Sequence, residues 1–177
     1  MNLKQIFRPR PARLAGQALY EAVTAQARQP AFYANLGAPD TVEGRFELYS
    51  LHVVLLLCRL KGLSGAAAET AQALFDVYVS ALDNALREMG VGDLSVAKKM
   101  RKLGEAFYGR VKAYDAAITA GDRAALTALI ERTVFEGATS QGLERLVDYV
   151  LACVADLAGQ PTEDLLEGRP HWPDIPA

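Results

Sequence analysis

The spacing of apolar residues is the feature that most constrains the fold of this chain. Apolar side chains recur every three or four residues over long stretches, whereas the alternating apolar and polar runs of half-buried strands are almost absent. A spacing of three or four places side chains on one face of an α-helix. The sequence therefore predicts an all-α protein, and its 177 residues fit a single compact domain.

Glycines, prolines and capping residues divide this pattern into about six predicted helices. The second, about 41–61, is apolar nearly all round in its middle, which is typical of a buried central helix. The other predicted helices cover about 12–28, 66–89, 95–118, 122–135 and 140–157. The predicted organisation is a basic N-terminal arm (1–11), one helical domain (12–167) and an irregular, proline-rich C-terminal tail (168–177).

The segment GVGDLS, residues 90–95, is predicted to be a hinge between the third and fourth helices. Gly90 stands where a helix ends in the left-handed conformation, and the residue after it would touch Leu86 in a Schellman ending. Asp93 or Ser95 is the expected N-cap of the next helix. A dinucleotide-binding loop is not favoured, because a third glycine and a preceding strand are missing. The predicted hinge residues are Gly90, Gly92 and Ser95.

The two helices that flank this hinge each carry a charged face. On the third helix, spacings of four, three and four align the polar residues Asp76, Ser80, Asp83 and Arg87. The outer face of the fourth helix is basic and carries Lys98, Lys99, Arg101, Lys102, Arg110 and Lys112. Charged helix faces are usually solvated surfaces, so charge alone does not identify a binding site.

No sequence motif for catalysis or metal binding is recognisable. His52 has no histidine or carboxylate three or four residues away and is expected to be a hydrogen-bonded core residue, while His171 belongs to the tail. Cys58 and Cys153 are expected to be free thiols in a reducing compartment; the alternative is one disulfide in an exported protein. These observations predict a binding protein without metal or cofactor, and leave open an enzyme whose site is assembled from distant residues.

Basic residues dominate the start of the chain, where no acid precedes Glu21. An arm of this kind is attracted to anionic lipid by about 1 kcal/mol per basic residue, and the alternative is a frayed terminus. The start lacks the apolar region of a signal peptide, so we expect a cytoplasmic protein with peripheral contact to the inner membrane. The net charge of −2 does not predict a nucleic-acid partner. The candidate membrane-surface residues are Lys4, Arg8, Arg10 and Arg13.

The run LFDVYVSALDNALREMGVGDLSVAKKMRKLGEAFYGRVKAYD, residues 74–115, resembles the ubiquinol–cytochrome c chaperone family. The similarity extends back through RFELYSLHVVLLLCRLKG and forward into the C-terminal helices. It implies a non-enzymatic assembly factor of the respiratory cytochrome bc1 complex that engages newly made cytochrome b. Mitochondrial members also work with a small partner protein near the ribosomal exit, whereas the short arm here implies a bacterial form.

The resemblance and the charged faces indicate the same surface, the hinge and its flanking helices. We predict that this mixed-charge surface contacts the client. A generic helical scaffold is the alternative, and it predicts a large apolar patch and stable dimerisation instead of a charged groove. The candidate client-binding residues are Asp76, Asp83, Arg87, Glu88, Asp93, Lys98, Lys102, Phe107, Tyr108 and Arg110.

Overall fold

The chain forms a helix wherever the apolar spacing predicts one. The structure, a computed structural model, describes residues 11–138 and 140–176. Within these ranges it contains six helices of eleven or more residues, two helices of five residues and no strand, so the all-α prediction is confirmed. The helices are α1 (Pro11–Ala27), α2 (Pro30–Ala34), α3 (Val42–Leu60), α4 (Ala66–Glu88), α5 (Asp93–Ala120), α6 (Arg123–Thr133), α7 (Leu143–Gly159) and α8 (Thr162–Leu166).

Helix α3 lies at the centre of the bundle, as its apolar sequence predicts. Every side chain from Leu48 to Leu56 except the half-buried Tyr49 is buried, and α3 packs against α1, α4, α5 and α7. Its start is fixed by Thr41, whose hydroxyl accepts a hydrogen bond from the Gly44 amide at 3.0 Å. A helix in this position sets the relative placement of the surface helices.

Helices α1 and α4 approach each other closely at a glycine. A Cβ atom on Gly16 would lie 2.7 Å from the carbonyl carbon of Ala73 and 2.7 Å from the amide nitrogen of Leu74. Real Cβ atoms do not approach other atoms so closely, so only glycine allows this backbone contact. This close contact fixes the positions of α1 and α4 relative to each other.

The hinge between α4 and α5 ends α4 as the sequence predicts. Gly90 has φ +79°, its amide donates to the Arg87 carbonyl at 2.9 Å, and the Val91 amide donates to the Leu86 carbonyl at 3.0 Å. This pair of hydrogen bonds is the Schellman motif. The predicted side-chain cap of α5 is wrong, because α5 begins at Asp93 after the N-cap Gly92 and no side chain caps it.

A buried hydrogen-bond chain joins α1, α3 and α7. His52 is fully buried, and its Nδ1 donates to the Leu48 carbonyl at 2.7 Å, as the neutral ring allows. Its Nε2 then accepts from the Tyr149 hydroxyl at 2.9 Å, and the Tyr149 oxygen accepts from Gln26 Nε2 at 2.9 Å. The prediction that His52 is a hydrogen-bonded core residue is confirmed.

Two short helices and the tail complete the bundle. Helix α2 starts with Pro30 and buries Phe32, and α8 buries Leu165. Neither was predicted. Residues 168–176 form no helix, yet Trp172 packs edge-to-face on His52 with ring centroids 5.1 Å apart. The tail is therefore part of the packed structure.

Candidate functional site

An ion-pair network spans the hinge at the predicted client surface. Arg87, at the end of α4, contacts Asp83 Oδ2 through Nε at 2.6 Å and Asp93 Oδ1 through Nη1 at 2.5 Å. These two carboxylates raise the pKa of Arg87. The Asp93 carboxylate thus pairs with Arg87, while Asp93 itself is the first residue of α5 and not its N-cap. The network connects the last turn of α4 to the first turn of α5.

Several other candidates lie exposed on the two flanking helices. Asp76 lies seven residues before Asp83 on the same face of α4 and accepts a hydrogen bond from Gln72 at 2.8 Å. Lys98 and Lys102 are exposed and make no ion pair with any residue that the structure describes. Glu88 is also exposed, and Tyr108 exposes 74% of its surface. The hinge surface therefore carries both paired and unpaired charges.

Two candidates lie elsewhere and are corrections to the predicted surface. Phe107 is only 2% exposed and packs against Tyr78 with ring centroids 4.5 Å apart, so it belongs to the core. Arg110 turns inward and pairs with Glu47 Oε1 at 2.5 Å. Burial raises the pKa of Glu47 to about 7, although Arg110 opposes this shift. Arg110 is thus a structural partner of α3 and offers little to a client.

An open groove beside the hinge is mainly apolar, whereas the sequence predicted a charged groove there and assigned an apolar patch to the scaffold alternative. The groove has a volume of about 420 Å³, and it lies between α1, α2, the start of α3, the end of α4 and α5. Two rim residues, Val42 and Met89, are 67% and 60% exposed. The sequence signal for this groove is the apolar stripe near the end of α4, at Ala81, Leu82, Ala85 and Leu86. The apolar lining comprises Tyr20, Ala27, Tyr33, Val42, Phe46, Tyr49, Ala81, Leu82, Ala85, Leu86, Met89 and Leu103.

Aromatic rings build the part of the groove that faces α1 and α3. Tyr20 and Tyr49 pack edge-to-face with centroids 5.4 Å apart, and burial raises the pKa of Tyr20. The guanidinium of Arg45 lies over the ring of Tyr33, 5.6 Å from its centroid. The Tyr49 hydroxyl is buried and makes no hydrogen bond with the described residues. The groove therefore has an apolar body with a basic group at one end.

The remaining chemistry-bearing residues show no catalytic arrangement in the described part of the chain. Burial raises the pKa of Cys58 to about 11 and that of Cys153 to about 12, so both thiols are protonated and poor nucleophiles near neutral pH. His171 lies on the surface, 3.3 Å from Asp156. Among residues 11–138 and 140–176, no cluster of three or more His, Cys, Asp or Glu side chains has a metal-binding arrangement.

The predicted membrane contact falls mostly outside the described structure. Arg13 is exposed in the first turn of α1, whereas Lys4, Arg8 and Arg10 lie outside the described residues. Within the part that is described, no helix combines the length and apolar character needed to cross a membrane. A lipid-binding role of the arm therefore stays a prediction.

Comparison with protein families decides the affiliation of this chain. The model of the family described as ubiquinol-cytochrome C chaperone matches residues 34–172, from the end of α2 to Trp172 in the tail. The chain belongs to the ubiquinol-cytochrome c chaperone family. The match contains the hinge, both flanking helices and the walls of the groove formed by α3, α4 and α5, whereas the α1 wall, Arg28 and Tyr33 lie outside it.

Known members of the chaperone family are similar over most of this chain. The chain is 26% identical over 162 residues to the ubiquinol-cytochrome-c reductase complex assembly factor 1 of Xenopus laevis, covering 90% of this chain and 81% of that protein. The human relative of the same name is 26% identical over 163 residues, and the match covers 90% of this chain. It covers only 54% of the length of the human protein. The crystal structure of the Cbp3 homolog from Brucella abortus is similar with a TM-score of 0.87, 38% identity and 98% coverage of both chains.

Proposed function

We propose that this protein is an assembly chaperone of the cytochrome bc1 complex that binds newly made cytochrome b through the hinge surface. The observation that carries the proposal is the chaperone-family match over residues 34–172, supported by the similarity in fold to the Cbp3 homolog over 98% of the chain. Relatives named as assembly factors of ubiquinol-cytochrome-c reductase indicate the complex that is assembled. The client and the contact surface are the finer parts of this proposal.

The arrangement of charges at the hinge suits a reversible contact. The Arg87 network joins the last turn of α4 to the first turn of α5, and as an exposed set of ion pairs it contributes little to stability. Lys98 and Lys102 remain available for acidic groups of the client. Charged contacts speed association and set orientation more than they add affinity, and a chaperone must release its client. Binding alone, without catalysis, accounts for the function.

Reversing charges at the hinge tests this proposal. In a bacterium that makes a cytochrome bc1 complex, deletion of the gene is expected to lower the assembled cytochrome b measured by reduced-minus-oxidised spectra. Wild type should restore it, whereas the double variant Asp83→Lys, Lys98→Glu should not, because both charges that face the client are reversed. The variant protein should keep the helical circular dichroism of wild type, since both side chains are on the surface.

A matched double variant serves as the control. Glu69→Lys, Lys112→Glu makes the same two charge reversals on α4 and α5, but Glu69 lies about 20 Å along α4 from Asp83. We expect it to restore cytochrome b fully. If gene deletion leaves cytochrome b unchanged, the assembly role is refuted. If the hinge variant restores cytochrome b as well as the control does, the hinge is not the contact surface.

A further inference from the structure

The apolar groove adjoins the hinge and is open to solvent. Leu86 and Met89 line it immediately before the hinge glycine, and Leu103 contributes from α5. Its volume of about 420 Å³ falls in the usual range of ligand sites, roughly 300–1,000 Å³. The rim residues Val42 and Met89 are 67% and 60% exposed, so the apolar surface extends beyond the groove itself. A helix about 10 Å across presents a wider apolar face than an acyl chain and can contact the rim as well as the groove.

The charges on the groove rim indicate what this helix carries. Arg28 and Arg45 are the basic lining residues, and Arg45 is already paired with Asp40 at 2.5 Å. Arg28 is exposed and makes no ion pair or side-chain hydrogen bond with any residue the structure describes. Glu43 is the acidic lining residue, and it lies in the first turn of α3, where the helix dipole favours a negative charge. Of the two basic residues that line the groove, Arg28 is therefore the one available to a ligand.

We propose that this groove binds an amphipathic helix of the client, with apolar side chains against Leu82, Leu86 and Leu103 and a carboxylate at Arg28. This inference rests on the proposed function, because it extends the client contact from the charged hinge into the adjoining apolar surface. Helix-in-groove recognition uses apolar anchors at i, i+3, i+4 and i+7, which match an open apolar channel. The hinge charges orient the client, and the groove supplies buried apolar area.

Filling the groove tests the apolar part of the contact. The probe is a fluorescently labelled amphipathic peptide with leucines at i, i+3, i+4 and i+7 and a glutamate at one end, titrated with the purified full chain and followed by anisotropy. Ala85→Trp places a large ring in the groove and is expected to weaken binding about tenfold or more. Asn84→Trp is the matched control, since Asn84 is the exposed neighbour outside the groove lining and should bind as wild type.

A charge exchange tests the role of Arg28. Arg28→Glu should weaken binding of the glutamate peptide and should strengthen binding of the same peptide with lysine in place of glutamate. Arg13→Glu, an equal reversal at an exposed site on α1 that does not line the groove, should change neither affinity. Because Arg28 is exposed, this variant keeps its fold and decides the proposal even if Ala85→Trp does not fold.

Three outcomes would overturn the groove proposal. Equal binding by Ala85→Trp and Asn84→Trp would place the peptide elsewhere. In the second outcome, the wild-type chain binds cis-parinaric acid and not the peptide. If Ala85→Trp abolishes that binding, the groove holds an acyl chain. A dimer in sedimentation that Ala85→Trp dissociates would assign it to a second copy of this chain. Loss of cytochrome b on gene deletion tests the assembly role independently, so either proposal can fail without the other.

Discussion

Replacing Gly142 by alanine is expected to lower the free energy of unfolding by about 3 kcal/mol or more. Gly142 is the buried N-cap of α7, and a Cβ atom there would lie 1.7 Å from the Leu36 carbonyl oxygen and 2.4 Å from its carbonyl carbon. Both atoms belong to the backbone, so the clash is relieved only by moving the segment after α2 away from α7. Urea denaturation followed by circular dichroism measures the loss.

The control for this variant is Gly159→Ala at the opposite end of the same helix. A Cβ atom on Gly159 meets nothing within 4 Å, so alanine should change the stability by less than about 1 kcal/mol, in the stabilising direction. Equal stability of the two variants would contradict the close approach of Leu36 to α7. A loss confined to Gly142→Ala would show that this contact holds the short helix α2 and its loop in place.

Acidification is expected to remove about 3 kcal/mol of stability through His52 alone. Burial lowers the pKa of His52 from 6.5 to about 4, which disfavours the charged ring in the folded state. The unfolded chain therefore takes up a proton near pH 6.5 and the folded protein only near pH 4. Stability from this group is fully present above pH 6.5 and is lost as the pH falls to about 4.

A variant without the imidazole separates the contribution of His52 to the pH dependence of stability from that of the carboxyl groups, which titrate in the same pH range. His52→Gln is expected to be less stable than wild type at pH 7, because the hydrogen bonds to Leu48 and Tyr149 are disturbed. Between pH 7 and pH 4 it should lose about 3 kcal/mol less than wild type. If the free energy of unfolding falls equally with pH in wild type and in His52→Gln, then His52 is protonated in the folded state well above pH 4.

The sequence predicted those elements whose cause is local. The six long helices follow from apolar spacing, and the ending of α4 follows from Gly90 at the left-handed position with Leu86 in reach. The short helices α2 and α8 escaped prediction, because five residues are too few to show a helical period. They form because Phe32 and Leu165 find buried places in the bundle, which only the tertiary structure provides.

In the candidate site, too, the sequence predicted the contacts within one helix but not those between helices. The contact of Asp83 with Arg87 follows from a spacing of four on one helix. The contact of Arg87 with Asp93 depends on the angle between α4 and α5, which no spacing fixes. The groove exists because five helices leave a gap between them, which the apolar spacing of any one helix does not reveal. Phe107 was named as a contact because it lies on the helix that carries the basic face, although its own position is on the buried stripe of that helix.

The first half of α5 is attached to the bundle at few points. Between Val96 and Phe107 none of the ten residues, all of which the structure describes, is buried, whereas the α1–α4 contact at Gly16 is close-packed. Segments with few buried contacts open locally at a small free-energy cost. The Leu103 wall of the groove can therefore shift to accommodate side chains of different size while α1 and α4 stay fixed, which gives this surface plasticity without unfolding the core.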